Sequence, residues 1–213
     1  MKIWSYYRKV YELHPQDIAL RFMAIAATCY TCFFRISECL QLKFKNIRFI
    51  TDLSGLQQMT IQIDHRKNNP KPFTYRIINF PTEPACNSYF FMHSYFEYLE
   101  KFGPVIDPEE YVFGHVYKGT LKYDKKHQSN QVFDAFLKQL IKEIGLDKSV
   151  YSTHTFRKGG ARHRHLYAAA TWNLDTIIRW ASWSYNVDNK VLITYLQDEA
   201  RAKEDDRLEY AMK

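Results

Sequence analysis

The chain of 213 residues is long enough to bury a sizeable core and fits one large domain or two small ones. Its 46% hydrophobic and 25% charged content is ordinary for a globular protein, and no apolar run approaches the roughly 20 residues a membrane-spanning helix needs. A formal charge of +7 with 16% aromatic residues suits a nucleic-acid partner, because cations neutralise phosphates and rings stack on bases, although a basic surface alone does not demand one.

Charged and polar residues from Lys2 onward exclude a cleavable signal peptide at this N-terminus. Cys29, Cys32, Cys39 and Cys86 are too few and too unevenly spaced for a disulfide scaffold. Cys29 and Cys32 have C-x-x-C spacing but lie in an apolar helical run, so buried free thiols are expected rather than a metal or redox site. The expected setting is intracellular and reducing.

From Pro15 to about Leu42 the pattern is helical, with Pro15 in a first turn, Asp17 complementing the dipole, and Ile18, Phe22, Ile25 and Ala26 at helical spacing. Arg35-Ile-Ser-Glu38 falls at the expected start of a second helix, capped near Ser37. Met59 to Ile63 then alternates as a strand, Lys67 to Pro72 reads as a turn, and Thr74 to Phe80 alternates again, predicting a β-hairpin with a lysine at its tip. Pro84 introduces a helix from about Cys86 to Phe102. Residues 103–127 read as irregular, with a possible short strand from Tyr111 to His115 and a basic cluster that includes Lys125 and Lys126. Helices are expected at about 130–144, 153–168, 173–182 and 187–198, followed by a charged tail. The fold class is mainly α with a small antiparallel β-sheet, an α+β arrangement in one domain.

The most telling string is Ser152-Thr-His-Thr-Phe-Arg-Lys-Gly-Gly160. His154 and Arg157 share one face at a helix start that Ser152 or Thr153 could cap, and a helix N-terminus with its N–H groups favours an anion. This describes a phosphate site. Breaking a phosphodiester without metal requires paired donors on the non-bridging oxygens, a nucleophile, and an acid for the leaving oxygen. The chain offers Arg35 and Arg157 as the clamp, His154 as acid or base, Lys67 as proton donor and Tyr195 as nucleophile. Arg66 and Lys71 compete with Lys67, and Tyr195 is one of sixteen tyrosines. No carboxylate cluster or His/Asp ligand spacing suggests a catalytic metal, and no cofactor motif is present.

In this order the residues resemble the tyrosine recombinases, or phage-type integrases. Arg35-Ile-Ser-Glu38 matches the family's first arginine box, Lys67 its hairpin lysine, and His154 and Arg157 its His-x-x-Arg; a histidine or tryptophan and then the tyrosine follow. The resemblance covers about residues 15–198. Trp183 lies twenty-six positions after Arg157 and twelve before Tyr195, a longer pattern than most of the family has. With Arg179-Trp-Ala-Ser-Trp183 and Ile193-Thr-Tyr-Leu-Gln-Asp-Glu199 it is most similar to the Crypton group of eukaryotic DNA transposons. Trp180 is the rival for the tryptophan role.

The resemblance implies a tyrosine recombinase catalytic-domain fold and strand cleavage through a 3′-phosphotyrosine link at Tyr195. Arg35 and Arg157 would hold the phosphate, Lys67 would protonate the leaving oxygen, His154 would assist proton movement, and Trp183 would donate to or pack beside the phosphate. Glu38 would orient Arg35 from behind. Lys71, Lys125, Lys126, Lys158, Arg162 and Arg164 are the expected DNA-backbone contacts. Double-stranded DNA is the implied partner, with a homotetramer built by C-terminal helix exchange, a nuclear location if the origin is a eukaryotic transposon, and neither cofactor nor metal. The family's N-terminal core-binding domain has no room before Arg35 and is expected to be absent from this chain. The rival reading is a catalytically silent DNA-binding protein on the same scaffold, centromere-binding or transcription-factor-like.

Overall fold

A computed structural model describes residues 10–12, 14–64, 71–83, 86–117, 120–149, 151–168 and 170–183. Helix α1 (Gln16–Thr31) buries Ala19, Leu20, Phe22 to Cys29 on nearly every face, so it is the central helix of the core. Its end is sharp: Cys32 N–H donates to Thr28 O at 2.9 Å, and Phe33 takes a positive φ of 52°. A short helix α2 (Ile36–Leu40) follows, with Arg35 rather than Ser37 at its N-cap. Glu38 closes that end by accepting the Arg35 backbone N–H at 2.7 Å, the return half of a capping box.

The chain then forms a three-stranded antiparallel sheet in the order β1 (Ile47–Thr51), β2 (Gln57–Ile63), β3 (Phe73–Ile78). The predicted hairpin is its β2–β3 pair, with Ile61 opposite Tyr75 and Met59 opposite Ile77; the turn at 65–70 lies outside the described residues. Strand β1 was not expected, because its pattern Ile47-Arg-Phe-Ile-Thr51 alternates over only three positions. It pairs through Ile47–Ile61 and Phe49–Met59, which places Ile47, Met59, Ile61, Tyr75 and Ile77 on the buried face.

Helix α3 (Ser88–Phe102) buries Tyr89, Met92, Tyr95 and Leu99 along one stripe and is capped by Asn87, whose side chain accepts the Phe90 N–H at 3.1 Å. The segment read as irregular forms a second hairpin, β4 (Gly114–Tyr117) with β5 (Thr120–His127). Polar residues dominate β5, so apolar alternation could not announce it. It is anchored instead by Glu110, whose carboxylate accepts the Lys125 backbone N–H at 2.7 Å where Lys125 takes a φ of 61°. Helix α4 (Asn130–Glu143), capped by Ser129, packs Phe133, Leu137, Leu140 and Ile141 onto the core.

Helix α5 (His154–Arg162) continues as a π-helical turn, His163–Tyr167, and helix α6 (Leu174–Ala181) follows. A smaller cluster of Phe33, Ala161, Ile177 and Ala181 joins α5 and α6 to the end of α1. The close approach of α5 to α1 explains the glycine pair. A Cβ on Gly160 would lie 1.9 Å from the Tyr30 carbonyl oxygen, and one on Gly159 would lie 3.3 Å from the Tyr30 ring. Among the described residues no helix is long and apolar enough to cross a membrane. Cys29, Cys32 and Cys39 are buried free thiols; burial pushes the Cys39 thiol well up and the neighbouring Cys29 pushes the same way.

Candidate active site

Two arginines from opposite ends of the described sequence meet at one carboxylate. Arg35 is placed by the extended residue between α1 and α2, and Arg157 by the second turn of α5. Arg35 Nη1 donates to Glu38 Oε1 at 2.9 Å, and Arg157 Nη1 lies 3.5 Å from Glu38 Oε2. Glu38 therefore orients both guanidiniums, whereas the sequence linked it to Arg35 alone. The Arg35 side chain is 28% exposed and that of Arg157 only 6%. A buried guanidinium needs several acceptors, and Arg157 gains another by donating from Nη2 to the Ala181 carbonyl at 3.3 Å.

That carbonyl belongs to the end of α6, which closes in a Schellman turn. Ser182 takes the left-handed conformation (φ 48°), its N–H donates to Arg179 O at 3.1 Å, and the Trp183 N–H donates to Ile178 O at 2.9 Å. The reversal brings Trp183 over Arg157, with the guanidinium carbon 5.3 Å from the ring centroid, close enough for a cation–π contact. The expected helix at about 173–182 has this end, but the sequence did not show how it is made, because a serine stands where glycine usually would.

Trp180, one turn earlier, is committed to the core. Its indole N–H donates to Thr31 O at 2.9 Å, its carbonyl accepts the Tyr75 hydroxyl at 2.8 Å, and its ring meets Tyr75 edge-on at 4.9 Å. The two tryptophans thus divide. Trp180 ties α6 to α1 and β3; Trp183 lies against the buried arginine.

His154 is the first residue of α5 and is exposed, one turn from Arg157. Neither Ser152 nor Thr153 caps this helix through its side chain, a correction to the expected capping. The Thr155 hydroxyl instead accepts the Ser152 backbone N–H at 2.9 Å, which turns the local hydrogen bond around. Lys67 and Tyr195 lie outside the described residues.

The expected DNA contacts separate into two groups. Lys71, Lys125 and Lys126 are exposed, Lys126 within 3.7 Å of Asp124. Lys158, Arg162 and Arg164 are half-buried. Arg164 lies 5.3 Å over the Trp172 ring, and the Nε and Nη2 atoms of Arg162 are themselves buried. Lys158 and Arg162 belong to α5, and Arg164 to the π-helical turn that continues it.

The arrangement presents two fixed guanidiniums with an exposed histidine nearby, a geometry suited to an oxyanion with paired oxygens. No protein-family profile matches the sequence, and no curated protein resembles it at a significant level. Solved structures do match. A XerH site-specific recombinase bound to difH substrate, in a pre-cleavage complex, superposes with a TM-score of 0.58 at 16% identity, covering 94% of this chain and 50% of that one. XerH on a palindromic difH substrate, in a post-cleavage complex, gives a TM-score of 0.60 at 15% identity over 96% of this chain and 50% of its own. The chain spans about half the length of these recombinases, and at such identities the likeness concerns the fold: an α+β fold of the tyrosine recombinase catalytic-domain type.

Proposed function

We propose that the chain cleaves and rejoins DNA strands by a tyrosine-recombinase mechanism. The observation that carries this reading is the convergence of Arg35 and Arg157 on Glu38, on a fold shared with recombinases solved on their DNA. The carboxylate holds both guanidiniums in place before DNA arrives, so less ordering is needed at binding. The non-bridging oxygens of the phosphate take the donors of the pair that face away from Glu38. Tyr195 attacks phosphorus, forming a 3′-phosphotyrosine ester and expelling the 5′ oxygen, which Lys67 protonates. His154 serves the proton transfers, and Trp183 packs beside Arg157 at the phosphate. The ester conserves the bond energy, so rejoining needs no nucleotide.

The finer form of the proposal is a Crypton-type transposase acting in the nucleus as a homotetramer on DNA. It rests on the Arg179–Trp183 and Ile193–Glu199 strings. The test is a nicked suicide substrate, on which the cut strand diffuses away and traps the covalent complex. A denaturant-resistant protein–DNA species that forms without added magnesium and is lost in Tyr195→Phe supports the reading. Tight DNA binding without that species makes the chain a silent binding module instead.

A further inference from the structure

Where the end of α5 meets the turn before α3, three side chains of different chemistry converge. Glu83 and Cys86 are brought together by a tight turn before α3, in which the Glu83 N–H donates to Phe80 O at 3.1 Å and the Cys86 N–H to Glu83 O at 3.0 Å. His163 reaches them from the first residue of the π-helical turn. One ligand atom from each residue, a carboxylate oxygen, the thiol sulfur and an imidazole nitrogen, lies within 4.8 Å of the other two. We propose that Glu83, Cys86 and His163 form a transition-metal site of zinc type that braces α5 against the turn preceding α3.

Geometry and donor chemistry carry the assignment. Tetrahedral zinc with bonds of about 2.0–2.3 Å sets its ligand atoms roughly 3.3–3.8 Å apart. His163 Nε2 and a Glu83 oxygen are already 3.7 Å apart, the right spacing for two ligands of one ion and too long for a hydrogen bond. That nitrogen is buried and meets the Glu83 carboxylate at ion-pair rather than hydrogen-bond distance, so an ion between them would satisfy both groups more fully. The sulfur must close by about 1.5 Å at most. Thiolate and imidazole together select zinc-class ions over magnesium or calcium, and the three ligands leave a fourth position for water.

The surroundings fix the ligands. The Cys86 carbonyl accepts the Thr31 hydroxyl at 2.9 Å, and the His163 ring lies 5.9 Å from that of Tyr30. Burial, followed by the charge of Glu83, pushes the Cys86 thiol up, while Tyr30 and Arg164 pull it back. Metal binding would replace the thiol proton, which leaves to solvent, and the two anionic ligands offset the ion's charge. Glu83 and Cys86 lie three positions apart, but His163 comes from a distant part of the sequence, so no linear spacing reveals the set.

Cobalt(II) is the probe, titrated into the purified full chain under reducing conditions. The expected result is a thiolate-to-cobalt charge-transfer band with tetrahedral d–d absorption, displaced by zinc(II), and a zinc-dependent rise in Tm. Cys86→Ser should lose the band, and Glu83→Gln, at a half-exposed turn position that folding tolerates, should weaken cobalt binding and diminish the Tm rise. No charge-transfer band in the wild type, or a band unchanged in both variants, overturns the site. A band that follows Cys32→Ser instead assigns the metal to the Cys29–Cys32 pair and overturns it equally.

Discussion

Replacing Glu38 by glutamine removes one charge and leaves two guanidiniums facing each other. Glu38 lies 2.9 Å from Arg35 and 3.5 Å from Arg157, with only 10% of its own side chain exposed. At an effective dielectric near 20, a pair at 4 Å is worth about 4 kcal/mol before desolvation. The Arg35 pair must be discounted because water reaches that side chain. The Arg157 pair is screened far less, and stripping one partner from a buried pair costs about 3–5 kcal/mol. Glutamine still offers an oxygen to the Arg35 backbone N–H, so the cap survives. The expectation is a loss of about 3 kcal/mol for Glu38→Gln and about 1 kcal/mol more for Glu38→Ala, which also removes the cap. Urea unfolding of the purified chain measures both, and a double-mutant cycle of Glu38→Gln with Arg157→Met isolates the buried pair. A loss below about 1 kcal/mol in Glu38→Gln, or a cycle with no coupling, would refute the view that this carboxylate holds the arginines.

Gly160→Ala should destabilise by about 3 kcal/mol, since overpacking against the Tyr30 carbonyl outweighs the roughly 1 kcal/mol that alanine gains in a helix; thermal unfolding that shows a gain would refute the close approach. Trp180→Phe should cost about 2 kcal/mol through the lost Thr31 bond and looser packing, whereas Trp183→Phe should cost under about 1 kcal/mol and reduce covalent-complex formation. Stability and cleavage measured side by side would show the reverse if the roles are exchanged. Burial pushes the Tyr123 phenol up to about 12 from its ordinary value near 10. Its contribution to stability is therefore complete below pH 10 and lost as pH rises towards 12, because the unfolded chain ionises first. Tyr123→Phe should flatten the decline of stability across that window, and an unchanged slope in alkaline urea titrations would count against the burial.

The candidate residues were legible in linear order because a phosphate clamp needs particular side chains whose types survive in the string. Arg35, His154 and Arg157 could be named from residue chemistry and spacing, and the resemblance supplied Glu38 and Trp183. The helices were legible for a different reason: the buried stripes of α3 and α4 repeat at 3.6 residues, and their caps are the local asparagine and serine. The sheet was half legible. Strands β2 and β3 alternate, while β1 and β5 are strands through pairing and through the Glu110 anchor, which their own residues do not encode.

By itself, then, the sequence determined the α+β class, the central apolar helix and the candidates for the chemistry, because each of these is written in composition or in short periodicity. Only the tertiary structure decided how they meet. It brought Glu38 to Arg157, separated Trp180 in the core from Trp183 at the arginine through a left-handed serine, and set Arg164 over the Trp172 ring. Such contacts depend on where distant helices end and how closely they approach, and packing against the whole core sets that geometry.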